Sequence, residues 1–363
     1  MKPMTFTRYL VILALLATAT LFAGCTGTAG GGSTAPVVTA IPSVTTPADT
    51  SVSNNSIVIT QTDGTRIVLP AQPERIIVTN SDAAEMLIAL GAADTIVGIT
   101  ESTKNVSHVM QQIPNAESIG DWQTPNVEKM LALNPDVVIS YASSKPKNLD
   151  QILAANITVI YLDCYRLPKL AQDARAVGTL TGHTEKAERY AQMIENMTTV
   201  VMRRVAPLPQ EKLPTVYFEG YSDYTAAGTG SGSDELLMMA GGKNAVAAVS
   251  TASSPKVSAE WVVSENPDYV MKVISIKETR PYAAIADALK ARTGWATMSA
   301  VKEGRICLFS AGIEYGPKAY IGLAATAKVL HPELFADFDP QVMLDRYAGE
   351  YVPGTNTTMM IYP

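Results

Sequence analysis

Two glutamates occupy equivalent places in two copies of one pattern. EKMLALNPDVVIS, Glu128 to Ser140, and EWVVSENPDYVMK, Glu260 to Lys272, each set a carboxylate six residues ahead of Asn-Pro-Asp, with apolar runs on either side. A carboxylate in the first turn of a helix is favoured by the helix dipole, and the residue before a proline is pushed away from α geometry. Each copy therefore reads as a helix, a turn and a buried strand that present one negative charge. The recurrence has two readings at this point: a pair of related lobes, or a junction chemistry that helix-to-strand turns favour anywhere.

Other reactive residue types are present without the spacing that enzymes need. His108, His183 and His331 show no His-x-His or His-Glu-x-x-His pattern, which argues against a protein-built zinc or manganese site. No Gly-x-Ser-x-Gly elbow occurs, so a nucleophile and base are lacking and the chain reads as a non-enzyme with no covalent cofactor. GTGSGS, Gly228 to Ser233, lacks the order of a dinucleotide loop and the lysine of a P-loop; at most its backbone N–H groups help hold a negative ligand ahead of a helix. Aromatic residues offer more. Tyr141 ends the apolar run DVVISY, and Tyr221 and Tyr224 sit in the loop EGYSDYTAAGTGSGS behind another strand. Loops at strand ends are where α/β sheets bind ligands, and aromatic faces there suit flat macrocycles or catechol-like chelates; ordinary rim or core aromatics are the alternative.

These residues need a scaffold of alternating strands and helices. TQTDGTRIVLP reads as a hairpin turning at Asp63-Gly64, and ERIIVTN as a short buried strand. Ser81-Asp82 with Glu85 looks like a capping signature for the helix AAEMLIAL, which Gly91 stops. DTIVGIT and ITVIYLD add strands, and Thr124 with Pro125 reads as the start of the helix carrying Glu128. From Thr184, TEKAERYAQMIENMTTVVMRRV keeps Ala187, Tyr190, Met193, Ile194, Met197, Val200, Val201 and Val205 on one stripe, ending at Ala206-Pro207. Such a helix spans about 33 Å. After it TVYFEG opens a second strand series, and SDELLMMAGG echoes SDAAEMLIALG. The expectation is an α/β protein of two lobes with central parallel sheets joined by one long rigid helix, with a ligand cleft between the lobes.

Composition sets the limits. With 363 residues, 47% hydrophobic and 17% charged, the chain can bury a large core. A net charge of −6 without a Lys/Arg block gives no footprint for nucleic acid. Lys2 and Arg8, the uncharged run Tyr9 to Gly24, and Phe22-Ala23-Gly24-Cys25 resemble a lipoprotein signal, which implies cleavage before Cys25 and a lipid on its sulfur; a plain membrane anchor is the alternative. Residues 26–55 are rich in Gly, Ser, Thr, Pro and Ala and read as a flexible tether. The expected divisions are a signal over 1–25, the tether, a first lobe over 56–183, the helix over 184–206 and a second lobe over 207–363. Cys164 and Cys307 read as buried apolar residues, with a disulfide as the alternative, and five Asn-x-Ser/Thr sequons permit glycosylation.

PERIIVTNSDAAEMLIALGAADTIVGIT, SIGDWQTPNVEKMLALNPDVVIS, VSAEWVVSENPDYVM, AVKEGRICLF and HPELF together resemble the extracytoplasmic solute-binding proteins of ABC importers for iron-siderophore, haem and cobalamin. The resemblance implies two Rossmann-like lobes and a lipid-anchored monomer on the outer face of the cell membrane. It also implies a permease with ATPase subunits as partner, and an iron(III)-siderophore, haem or corrinoid as cargo. By motif position it implies that Glu128 and Glu260 dock the permease. Trp122 and Tyr141 fall where relatives carry ligand-facing aromatics, and Lys318 falls where some siderophore-binding relatives place a basic residue. Alternatives are a molybdate- or tungstate-type oxyanion receptor of the same fold and a surface adhesion or structural lipoprotein.

Overall fold

The computed structural model describes residues 55–357 and the backbone of 361–362; the signal, Cys25 and nearly all of the tether lie outside the described residues. A hairpin of β1 (Ile57–Thr60) and β2 (Arg66–Leu69) opens the fold. Its turn forms because Asp63 Oδ1 accepts the Thr65 N–H at 2.9 Å while Gly64 takes φ 89°.

Two five-stranded sheets follow. β3 (Ile76–Val78), β4 (Ile96–Ile99), β5 (Glu117–Ser118), β6 (Val137–Ser140) and β7 (Val159–Tyr161) lie in the order β5-β4-β3-β6-β7, parallel throughout. β8 (Thr215–Glu219), β9 (Lys243–Asn244), β10 (Tyr269–Ile274), β11 (Ile306–Ser310) and β12 (Ile361–Tyr362) lie in the order β12-β11-β10-β8-β9, parallel except for β12. Helices cover both faces, so central strands such as β6 and β11 are buried along their whole length. The orders differ between lobes, yet both switch direction at one place, between a lobe's first strand and the strand that follows Asn-Pro-Asp.

The repeated motif builds that place. Asn134 and Asn266 adopt φ 46° and 47°, a left-handed geometry that asparagine tolerates better than most side chains, and so turn the chain out of each helix. Asp136 Oδ2 then accepts the Glu74 and Arg75 N–H groups at 2.8 Å, and Asp268 Oδ2 accepts the Thr215 N–H at 2.7 Å. In each lobe the motif thus pins its own strand to the start of the first strand. The helix starts differ slightly from expectation: Asn126, not Thr124, caps Val127–Ala132, because its side chain reaches the Lys129 N–H at 3.0 Å.

The long helix runs Thr184–Val205. Ala187, Tyr190, Ile194, Val201 and Val205 are buried on its stripe, in one continuous apolar core with Ile76 and Val78 of the first sheet and Val216, Phe218 and Met271 of the second. Tyr190 OH donates to the Pro317 carbonyl at 2.7 Å, tying the helix to the second lobe. On the other side Arg175, on the helix Leu167–Thr181, holds Glu188 at 2.7 Å. The final helix, Pro340–Glu350, returns to the first lobe through Tyr347. Cys164 and Cys307 are both buried and free. Among the described residues no helix is long and apolar enough to cross a membrane.

Candidate functional site

The two switch points open onto one cavity of about 540 Å³ between the lobes. Thr79 follows β3, Tyr141 follows β6, Tyr221 follows β8 and Ser275 follows β10, and all four line it. This is the crevice outside the carboxyl ends of parallel strands where the doubly wound topology leaves room for a ligand. A second cavity of the same volume shares His108, Ser275, Gly312 and Lys318 with the first, so the cleft is elongated.

A band of aromatic rings crosses the cavity. Trp122 meets Tyr141 edge to face at 5.7 Å, Tyr141 meets Tyr165 at 5.9 Å, and Tyr165 reaches Tyr315 of the second lobe at 6.4 Å. Tyr221, 59% exposed, stands on the opposite wall. Rings joined edge to face leave their faces available for a flat guest.

Beside the band lies a knot of charge. Asn80 caps the helix Ser81–Leu90 by accepting the Ala83 N–H at 2.6 Å, and the Ser81-Asp82 pair therefore does not cap it. Asp82 and Glu85 are left free to turn inward. Glu85 pairs with Lys318, accepts Tyr347 OH at 2.7 Å and meets His108 Nε2 at 3.1 Å. Burial alone would raise the Glu85 pKa, but Lys318 and His108 outweigh it and hold the carboxyl well below the usual range. Asp82, on the cavity wall, accepts only Tyr141 OH, at 3.3 Å, among the described residues. Burial first, and then the Glu85 charge, push Asp82 up to about 7.

Of the residues expected at the site, Trp122, Tyr141, Tyr221 and Lys318 line the cavity. Lys318 is 3% exposed and engaged by Glu85, so its charge is not available to a ligand. Tyr224 lies elsewhere. Its N–H bonds Glu219 at 2.8 Å and its ring takes the Arg292 guanidinium at 4.7 Å, in the second lobe's own core, where it anchors the loop bearing Tyr221. Three of the GTGSGS amides are already engaged: Gly230 N–H by Asp234 Oδ2 at 2.8 Å, Gly228 N–H by the Ser253 carbonyl at 3.0 Å and Ser231 N–H by the Gly228 carbonyl at 3.1 Å. Glu128 and Glu260 are both exposed, each the second residue of its helix. Tyr165, Tyr315 and Asp82 are site residues that the sequence alone did not single out.

Glu314, whose carboxyl is buried beside the Ser233 and Tyr315 hydroxyls, is likewise pushed up to about 7 by burial, and Asp173 to about 6. In the unfolded chain these groups titrate near about 4. Between about pH 4 and 7 the folded state therefore binds more protons than the unfolded one, and stability falls as pH rises through that window. The thermal midpoint is expected to drop by at least about 2 °C from pH 5 to pH 7.5, with Glu314→Gln flattening the fall; a rising midpoint by calorimetry would contradict this assignment.

A model of the periplasmic binding protein family matches residues 76–311. The ABC transporter substrate-binding lipoprotein YvrC of Bacillus subtilis is 25% identical over 279 residues, covering 75% of this chain and 84% of that protein. The vitamin B12-binding protein of Yersinia pestis is 29% identical over 213 residues, covering 56% of this chain and 71% of that protein. Among solved structures, the TroA-like periplasmic binding protein FepB of Veillonella parvula superposes with a TM-score of 0.72 at 22% identity, over 84% of this chain and 99% of that one, a likeness of fold.

Proposed function

The chain belongs to the periplasmic binding protein family, and from that footing we propose that it is the solute receptor of an ABC importer, capturing a metal chelate: an iron(III)-siderophore or a haem- or corrinoid-type ring. The observation that carries this reading is the aromatic band of Trp122, Tyr141, Tyr165 and Tyr315 at the junction of both switch points. A cavity of about 540 Å³ with an equal neighbour suits a guest of several hundred cubic ångströms, within the ordinary range of ligand sites. A bare oxyanion would instead need a small nest of free N–H donors, and in GTGSGS the Gly228, Gly230 and Ser231 N–H groups are already taken, by the Ser253 carbonyl, Asp234 Oδ2 and the Gly228 carbonyl. Tryptophan fluorescence titrated with a corrinoid, haemin, a ferric hydroxamate and molybdate tests the reading. Saturable quenching by a chelate and none by molybdate is expected; quenching by molybdate alone, or by nothing, would overturn it.

Delivery to the permease rests on Glu128 and Glu260, exposed at matched positions of the two lobes. Exposed ion pairs contribute only about 0–1 kcal/mol each, so the pair sets orientation more than affinity. Charge reversal at both, Glu128→Lys with Glu260→Lys, is expected to cut uptake by vesicles holding the permease at least about tenfold, because like charges then meet, while chelate affinity stays unchanged. Undiminished uptake would remove this role. The lipid on Cys25, holding the receptor to the outer face of the membrane, belongs to the same proposal.

A further inference from the structure

The charge on the cleft wall points to the kind of chelate that enters. Among the described residues, the basic side chains lining the aromatic cavity are Lys318 and His108, and both are turned onto Glu85. Two further arginines are also engaged: Arg280, which lines the second cavity, with Glu278 at 2.7 Å, and Arg166, next to Tyr165 in sequence, with Glu235. Asp82 is different. Its carboxylate lines the cavity and, among the described residues, accepts one long hydrogen bond, from Tyr141 at 3.3 Å. On its other side Gly316, at φ 76°, passes so close that an added Cβ would lie 2.7 Å from Asp82 Oδ1, so the backbone is shaped around this acid. Ring faces carry negative potential as well, attracting cations and repelling anions.

We propose, on the footing of the receptor reading above, that the cleft selects neutral or positively charged chelates that offer an N–H donor or a cation to Asp82, and rejects polyanionic chelates and oxyanions. The groups that set the charge on Asp82 are Glu85 and Asp163, which oppose its ionisation, and Lys318 and Tyr141, which favour it. Affinity for a cationic chelate should therefore rise as pH passes through about 7.

The test is calorimetric titration at pH 8 with four probes: a linear ferric trihydroxamate bearing a free ammonium, neutral cyanocobalamin, a triply anionic ferric tris-catecholate, and molybdate. Binding of the ammonium-bearing or neutral probe at least about 100-fold tighter than the tris-catecholate is expected. Asp82→Asn should narrow that gap by about tenfold and abolish the pH dependence. Preference for the tris-catecholate or molybdate in the wild type overturns the inference, and an unchanged gap in a folded Asp82→Asn overturns the part given to Asp82. Should that variant not fold, the wild-type panel and its pH profile decide alone. Binding of no probe at all removes the receptor reading, and this inference with it.

Discussion

Replacing Lys318 with methionine is expected to destabilise the folded protein by about 3–5 kcal/mol, seen as a lower urea midpoint at unchanged slope. Methionine fills a similar volume, so packing is largely kept and the loss is electrostatic. Lys318 is 3% exposed and stands between lobes, its ammonium on Glu85 of the Ser81–Leu90 helix. Glu85 is itself 6% exposed, and without Lys318 its charge would be left in a nearly dry site with His108 and Tyr347 as partners. Removing one member of a buried pair costs far more than removing both, since the survivor keeps its desolvation penalty. Lys318→Met combined with Glu85→Gln should therefore recover at least about half of the loss. A cost below about 1 kcal/mol for the single change would mean that water reaches this pair.

The second large effect concerns the rings. Trp122→Ala and Tyr315→Ala are each expected to weaken chelate binding by about tenfold to 100-fold, because each removes a large rigid face from a desolvated slot. They lie at opposite ends of the band and in different lobes, so their effects should nearly add. Tyr224→Phe is the control. That ring packs beside Arg292 and Trp295 away from the cavity, and affinity should be unchanged. Equal losses in all three variants would point to general destabilisation rather than a binding surface.

Much of this architecture was legible in the sequence. The stripe from Ala187 to Val205 is long, regular and free of Gly and Pro, and the helix runs Thr184–Val205. The two Asn-Pro-Asp motifs mark the strands that adjoin each lobe's first strand. Their recurrence has a local cause in the left-handed asparagines and the bridging aspartates, while the exposed glutamates owe their place in the fold only to the favour a first-turn carboxylate finds from the helix dipole. What escaped was set by tertiary contact. Asn80, Ser81 and Asp82 are all good caps, so the choice of Asn80 that frees Asp82 has no strong local signal. Lys318 meets Glu85 across 233 residues, so a lysine that reads as a ligand group is an internal partner. Tyr165 and Tyr315 sit in turns beyond β7 and β11, where only the meeting of the lobes brings their rings together. Tyr224 erred in the other direction: a loop aromatic near a strand end became core because Glu219 and Arg292 hold it there.

The most direct measurement is native mass spectrometry of the protein purified from its own host, beside a Trp122→Ala, Tyr315→Ala double variant purified in the same way. A single metal chelate retained one to one by the natural chain and lost from the variant is the predicted result. No retained solute, or a chelate held equally by both, would contradict a receptor whose guest lies against that band of rings.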